Sequence, residues 1–352
     1  MDVKSKTGRI IILSTVFCLL YIILALRPTG TELHFTPEWT VSIADAPSET
    51  EQDCIPFRLG QDAGYFTEDG KIAYAVSFPY KAAVSENYIA PFSPDAAETK
   101  FYSPKGNELG VIKSEGFPFF EEDRIFVFIP GGSTFIKCDV NGNEFWRYEY
   151  YAPITAFSSS KEAFLAGYAD GRMIAFDPRG NILQDFVAEG CTYPVILGAG
   201  ISYDGTTAAC ISGHEPQRFI VSKKEENHSK IIFHAQLKNE TYEQQPVKFS
   251  RDGKSIFYGC SGGIGIAIPE ERKNIIIPLE GLISQIEESP AENFFYILSR
   301  SGDTCTVTII EDSQNKAAEF SFKAQHAFIK AKGTKLFVGR DKKISAITVS
   351  RK

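Results

Sequence analysis

The sequence is poor in the residue patterns that mark metal and redox chemistry. It has five histidines and seven cysteines among 352 residues, and none of them forms an H-x-x-x-H, H-E-x-x-H or C-x-x-C motif. Zinc sites and thioredoxin-like centres depend on such spacings. We therefore expect no metal site and no catalytic set built on these residues. We expect the cysteines in apolar segments to be buried, free thiols.

Positive charge is also scarce. The chain has 37 basic and 44 acidic residues, a net charge of −7, and after the first 27 residues its basic side chains occur in no run longer than a pair. Nucleic-acid binding requires clustered lysine and arginine to neutralise phosphates. The sequence predicts no nucleic-acid partner.

Only one long hydrophobic run occurs, near the N-terminus. Residues 10–26 carry no charge and follow Lys4, Lys6 and Arg9. Seventeen apolar residues are at the short end of what spans a bilayer, and the preceding basic residues favour a cytoplasmic N-terminus. We expect a cytoplasmic tail over 1–9 and a transmembrane signal anchor over 10–26. Its membrane-facing residues would be Ile10, Leu13, Phe17, Leu20, Ile23 and Leu26.

Two alternatives to an uncleaved anchor stay open. A cleaved signal peptide requires small residues before its cleavage site, whereas this run ends in bulky Leu24 and Leu26 before Arg27. A lipoprotein requires small residues before its cysteine, whereas Cys18 follows Val16 and Phe17. The anchor and both alternatives predict that the rest of the chain is exported.

A repeat occupies the rest of the sequence. The segment FSRDGKSIFYG, which begins at Phe249, places a polar turn between two apolar stretches, and similar segments begin at residues 66, 119, 157, 201, 288 and 329. The starts of these seven copies differ by 53, 38, 44, 48, 39 and 41 residues. Their mean of roughly 44 matches the size of one propeller blade.

A second periodic element is a Gly-Asn pair, which occurs in predicted turns at Gly106, Gly142 and Gly180. Glycine supplies the positive φ that a tight turn between strands requires. The segments between turns are short and rich in Ile, Val, Phe and Tyr, as buried strands are. Each repeat should therefore contain two hairpin turns and three or four strands.

These segments resemble known propellers. The pattern FS-x-D-G-K-x-I-x-Y resembles the inner hairpin of WD40-like and TolB-type bacterial propellers. DGRMIAFDPRGNIL and IKCDVNGNEFWRY resemble the quinoprotein-like (PQQ-like) repeat, which outer membrane assembly lipoproteins share. With seven copies, the expected fold is an all-β, seven-bladed propeller over 57–352, with six to eight blades possible.

The same resemblance raises the possibility of a pyrroloquinoline quinone enzyme. Such enzymes have tryptophan-docked blades and an adjacent cysteine pair, whereas this chain has two tryptophans and no adjacent cysteines. We therefore expect no cofactor.

Too few residues follow the last copy to form four strands. A strand from before the first repeat should complete that blade, either EWTVSIAD (38–45) or CIPFRLG (54–60). Otherwise residues 27–56 are a plain linker.

The sequence thus predicts a membrane-anchored propeller that serves as an interaction or assembly scaffold for cell-envelope proteins. It would be a single-pass protein of the bacterial cytoplasmic membrane with its ring on the periplasmic side. The alternative is a propeller hydrolase or lyase with an active site at the axial funnel. Two aromatic-rich stretches are candidate partner surfaces, through Trp146, Tyr148, Tyr150, Tyr151, Phe117 and Phe119. The alternative is that either stretch packs in the core between blades.

Overall fold

The computed structural model describes residues 13–18, 21, 33–48, 50–226 and 228–351. Apart from a short N-terminal helical segment and one 3₁₀ turn (Pro269–Glu271), its regular structure consists of strands arranged in eight antiparallel sheets. Seven sheets have four strands, and the sheet formed by residues 54–77 has three. The protein is an eight-bladed β-propeller.

Blades 1 to 4 follow one another along the chain, with strands numbered in chain order. Blade 1 contains β2 (Cys54–Leu59), β3 (Asp62–Thr67) and β4 (Ile72–Ser77). Blade 2 contains β5 (Lys81–Val84), β6 (Ile89–Phe92), β7 (Thr99–Tyr102) and β8 (Glu108–Ile112). Blade 3 contains β9 (Phe117–Glu121), β10 (Arg124–Phe128), β11 (Thr134–Cys138) and β12 (Glu144–Glu149). Blade 4 contains β13 (Ile154–Ser159), β14 (Phe164–Tyr168), β15 (Arg172–Phe176) and β16 (Ile182–Val187).

Blades 5 to 8 complete the ring. Blade 5 contains β17 (Tyr193–Ile201), β18 (Thr207–His214), β19 (Arg218–Glu225) and β20 (His228–Gln236). Blade 6 contains β21 (Val247–Phe249), β22 (Ile256–Cys260), β23 (Gly263–Ile268) and β24 (Lys273–Pro278). Blade 7 contains β25 (Leu282–Glu288), β26 (Phe294–Ser301), β27 (Thr304–Glu311) and β28 (Asn315–Lys323). Blade 8 contains β29 (Ala327–Lys332), β30 (Lys335–Arg340), β31 (Lys343–Arg351) and, as its outermost strand, β1 (Leu33–Ser42).

The strand that completes blade 8 comes from before the first repeat. β1 pairs antiparallel with β31 over nine residue pairs, from Leu33 opposite Arg351 to Ser42 opposite Lys343. This strand contains the first part of the 38–45 segment, one of the two candidate donors. The other candidate, 54–60, forms the first strand of blade 1.

The hydrophobic core lies between blades rather than at one centre. Eight clusters of buried side chains each join two neighbouring blades, and the cluster containing Ile43, Phe57 and Phe337 joins blade 8 to blade 1. Middle strands such as β14 are buried at every residue, whereas the outer strand β16 has one buried residue and its others are half-buried or exposed. Each sheet is thus covered by its neighbours around a closed ring.

One backbone hydrogen bond recurs at the same end of the blades. The backbone N–H of the residue that follows the outermost strand donates to a carbonyl oxygen in the turn before the blade's last two strands. Examples are the bonds from Ala188 to Gly171 and from Phe78 to Gln61, both 2.9 Å. We call this side of the ring, which also carries the connections between blades, the connection face. The opposite side, with the turn between the last two strands, is the hairpin face. In blade 1, the three strands correspond to the last three of the other blades.

The prediction of seven blades is wrong. The copy that begins at Phe66 contains the outer turn of blade 1, between β3 and β4, whereas the copies from Phe119 onwards contain turns between the first and second strands. The matching turn of blade 2 spans Ser85–Tyr88 and has no Asp-Gly, so it does not resemble the others. Blade 2 fills the long gap of 53 residues between the first two copies.

The structure also corrects the prediction of a membrane anchor over 10–26. The described part of this run is helical at residues 13–18 and 21. In the described ranges no helix combines the length and apolar character needed to cross a bilayer. The single-pass location at the cytoplasmic membrane is corrected with it. Leu13 and Phe17 are exposed, and Ile10, Leu20, Ile23 and Leu26 lie outside the described residues.

Candidate functional site

Four of the six predicted partner-surface residues pack between blades 3 and 4. Trp146, Tyr148, Tyr150 and Phe119 lie against a buried cluster that includes Phe126, Phe135 and Phe176. Phe117 is half-buried beside Phe92, and Lys81 lies over its ring at 4.7 Å. Tyr151 differs from these five because 80% of its surface is exposed.

Trp146 has a structural partner in the next blade. Its indole N–H donates to the carbonyl of Pro178 at 3.1 Å, and its ring lies so close to Gly180 that a Cβ there would meet it at 2.9 Å. Trp39 of blade 8 does the same in blade 1, donating to the carbonyl of Glu68 at 3.1 Å and covering Gly70. Both tryptophans of the chain therefore join an outer strand to the next blade's outer turn.

The turn that receives Trp146 is built by its own sequence. Asp177 accepts hydrogen bonds from the backbone N–H of Arg179 and of Asn181, both 2.8 Å, and Gly180 has a φ of +89°. A side chain at Gly180 would be strained and would also displace the indole ring. The Gly-Asn pairs predicted as turns thus lie between third and fourth strands, where they receive the preceding blade.

Exposed tyrosines are concentrated on the connection face. Five tyrosines of the described blades are exposed, and four of them lie in or directly beside connections between blades: Tyr80 (69%), Tyr151 (80%), Tyr193 (59%) and Tyr242 (78%). Leu282, 54% exposed, continues the arc at the start of blade 7. The fifth tyrosine, Tyr203, lies on the hairpin face. Solvent-facing tyrosines on one rigid surface are typical of protein interaction sites.

The rings in this arc are held in defined positions. Tyr151 donates from its hydroxyl to Asp170 at 2.9 Å, and its ring centroid lies 4.2 Å from that of Tyr150. Tyr242 stacks on His214 with centroids 4.6 Å apart and an interplanar angle of 20°. Rings fixed in this way lose little conformational freedom when a partner binds.

Sequence inspection identified Tyr151 through its aromatic neighbours but missed Tyr193 and Tyr242. Each of these two is the only aromatic residue in its stretch, CTYPV and ETYEQ. Only their common place at blade connections relates them, and that place requires the blade boundaries. The sequence could therefore have indicated these two tyrosines only through their position within the repeat.

A mixed charge cluster lies where the first strands of several blades meet. Nζ of Lys330 is 2.9 Å from Oε1 of Glu86 and 3.9 Å from Oε1 of Glu287. Nζ of Lys248 donates to the carbonyl of Ile286 at 2.8 Å. The contacts link blades 6, 7, 8 and 2, and Glu121 of blade 3 is acted on by the charges of both Glu86 and Lys248, so these groups lie near the ring axis.

Burial and neighbouring charges shift the pKa values of two glutamates in this cluster. Burial raises the pKa of Glu121 to about 7, while Arg124 opposes that shift. Burial also acts to raise the pKa of Glu86, but the ammonium of Lys330 outweighs it and the net direction is downward. Three glutamates near an axis are what a propeller hydrolase would require, but Lys330 pairs with two of them.

The hairpin face has a cleft of about 480 Å³ between blades 5 and 6. Its two aspartates serve their own turns, because Asp204 accepts from Ser202 and Asp252 from Ser250, both at 2.6 Å. Ser261, in the G-x-S-x-G sequence GCSGG, lies in the tight turn between β22 and β23 rather than before a helix, as a nucleophile elbow requires. Among the described residues no three His, Cys, Asp or Glu side chains group as metal ligands.

The fold and its repeat define a β-propeller, and the comparison with protein families agrees. A family model described as beta-propeller protein matches residues 1–351, and the chain belongs to that family. The bacterial propeller superfamily inferred from the repeat is confirmed.

Two known proteins are similar to this chain. An uncharacterised protein of Treponema pallidum (strain Nichols) is 28% identical over 362 residues, which cover 99% of this chain and 96% of that protein. The crystal structure of BamB from Moraxella catarrhalis matches with a TM-score of 0.58 over 90% of this chain and 100% of BamB. The identity to BamB is 11%, so this match supports the fold alone.

Proposed function

We propose that the protein is an interaction scaffold that binds other proteins through its connection face. The observation that carries the proposal is the arc of tyrosines that runs from blade 1 to blade 6 on that face. The resemblance of the repeats to outer membrane assembly propellers supports partners among cell-envelope proteins.

Two neighbouring tyrosines allow a matched test. Tyr193 begins strand β17 and Tyr203 lies in the turn after it, and both are 59% exposed, but the first is on the connection face and the second on the hairpin face. The photoreactive residue p-benzoylphenylalanine would replace each of them in turn, in cells that produce the full chain. After irradiation, an antibody against the chain would detect covalent adducts on a denaturing gel.

We expect discrete adducts at Tyr193 and fewer or none at Tyr203. Tyr151 and Tyr242 should give adducts of the same mass as Tyr193, because one partner would cover neighbouring positions. Equal adducts at Tyr203, or none at the three connection-face positions, would overturn the proposal.

An axial hydrolase or lyase has weaker support. Glu121 and Glu86 have pKa values shifted in opposite directions, as an acid and a base often do. Glu86 nevertheless forms an ion pair with Lys330, and this ion pair is explained as a contact that closes the ring. We therefore favour the scaffold.

A further inference from the structure

The connection face around the tyrosine arc is acidic. The connections and turns over blades 4 to 6, and the connection from blade 6 to blade 7 (150–153, 169–171, 188–193, 213–217, 237–246, 261–262 and 279–282), contain six acidic residues and one lysine. The acidic residues are Asp170, Glu189, Glu215, Glu240, Glu243 and Glu280, and the lysine is Lys238. Two arginines, Arg172 and Arg218, begin the strands that follow two of these turns, so the face has six acidic and three basic side chains.

Among the described residues, only two of these carboxylates accept hydrogen bonds from other parts of the fold. Asp170 accepts hydrogen bonds from the hydroxyls of Tyr150 and Tyr151, both at 2.9 Å. Glu240 accepts from the backbone N–H of Glu215 at 2.8 Å and lies 3.1 Å from Nδ1 of His214.

The other four carboxylates are exposed and available. No ion pair within the described ranges joins them to a basic side chain: Glu189, Glu215, Glu243 and Glu280. Exposed carboxylates on one face attract cations, and basic side chains brought by a partner could pair with them.

The tyrosine rings add a second feature suited to cations. The outer side of Tyr242 is open, since the ring is 78% exposed although it stacks on His214. A guanidinium already lies over a tyrosine at this face, because Cζ of Arg172 is 5.5 Å from the ring centroid of Tyr150. Arginine both stacks on aromatic rings and pairs in a bidentate manner with carboxylates.

We propose that the connection face over blades 4 to 6 binds an arginine-rich segment of a partner protein. This inference rests on the proposed scaffold function and adds the chemistry of the partner. Arginine fits better than lysine because its planar group uses both the rings and the carboxylates. Nucleic acid is disfavoured because its phosphates would meet the same acidic residues.

The probe is a fluorescein-labelled ten-residue peptide of alternating arginine and serine, titrated with the purified full chain and followed by fluorescence anisotropy. Matched peptides carry lysine or glutamate in place of arginine. We expect the arginine peptide to bind, the lysine peptide to bind more weakly, and the glutamate peptide not to bind. Equal binding of the arginine and lysine peptides would overturn the proposal.

Two variants of equal charge locate the site. Glu189→Gln with Glu243→Gln should weaken binding of the arginine peptide about fivefold, as the loss of two exposed ion pairs predicts. Glu162→Gln with Glu270→Gln removes two exposed carboxylates from the hairpin face and should leave the affinity unchanged. The same weakening in both variants would show that only net charge matters and would reject the site.

A tyrosine variant separates this inference from the scaffold function. Tyr242→Ala should weaken the arginine peptide about fivefold through loss of a cation–π contact. If the connection-face positions give adducts in cells but the arginine peptide does not bind, the partner chemistry is wrong and the scaffold function stands. If adducts form only at Tyr203, both are wrong.

Discussion

Lys330 of blade 8 forms an ion pair with Glu86 of blade 2, with Nζ and Oε1 2.9 Å apart, across the intervening blade 1. Blade 1 has three strands, and its β2 corresponds to the second strand of the other blades. Lys330 of β29 therefore reaches past blade 1 to the turn that follows β5 in blade 2. This ion pair joins the two ends of the ring at its inner edge, as β1 and β31 join them at the outer edge.

Replacement of Lys330 by alanine should destabilise the ring. The change leaves Glu86 and Glu287 without their common cation, and because these groups are partly exposed we expect a loss of about 1–2 kcal/mol in the free energy of unfolding. Urea denaturation of the full chain measures it. Lys100→Ala is the matched control, since its ion pair with Glu108 is on the surface, and a cost as large as that of Lys330→Ala would contradict this account.

Glu121→Gln should stabilise the protein at pH 8 and leave it unchanged at pH 5. Burial raises the pKa of Glu121 to about 7 in the folded chain, so the folded state binds more protons than the unfolded state between about pH 4.5 and pH 7. Stability contributed by this group is therefore lost as the pH rises through that window. The charged groups around it are Arg124, Glu122, Glu86 and Lys248.

The expected gain at pH 8 is about 1–3 kcal/mol, measured by urea denaturation of both proteins at the two pH values. Glu122→Gln provides a control, because Glu122 is exposed and pairs with Arg124 at 2.8 Å. A gain for Glu121→Gln that is the same at pH 5 would show that the carboxyl is not titrating in this range.

Loss of β1 should open the ring. A chain that begins at residue 31 keeps β1, whereas one that begins at residue 43 lacks nine residue pairs of ladder with β31. At about 1 kcal/mol net for each backbone hydrogen bond, the shorter chain should lose about 5 kcal/mol or more. Its melting temperature, measured by circular dichroism, should fall well below that of the longer chain. Equal melting temperatures would show that the ring does not depend on this strand.

Replacement of Trp146 should destabilise the protein much more than replacement of Tyr151, although the two residues are only five positions apart. Trp146→Ala removes a ring that packs between blades 3 and 4 and a hydrogen bond to Pro178, so we expect a loss of about 3 kcal/mol in unfolding free energy. Tyr151→Ala should cost less than about 1 kcal/mol, because the side chain is 80% exposed. Denaturant melts of the two variants test this, and similar losses would refute the distinction.

The sequence was sufficient for the fold class but not for the number of blades. Hairpin turns leave a local pattern, and the spacing of the copies gave the blade size. Two kinds of turn, inner and outer, share that pattern, and the copy at Phe66 belongs to the outer kind. Extending the outer series from Gly106 back to Gly70 gives a spacing of 36 residues, equal to that from Gly106 to Gly142, and would have revealed the extra blade.

The candidate site was less accessible from sequence because exposure depends on the neighbouring blade. Trp146 and Tyr151 lie in one aromatic stretch, yet the turn at Gly180 covers the first, whereas the second is 80% exposed. Lys330 and Glu86 are 244 residues apart, and no local pattern relates them.

The position of β1 has a consequence during protein synthesis. This strand is among the first to leave the ribosome, and its partner β31 is the last strand of the described chain to emerge. Until then β1 lacks its pairing edge, while the blades between the two strands can already form theirs. A nascent chain must therefore keep this unpaired strand from aggregating while the residues between β1 and β31 are synthesised.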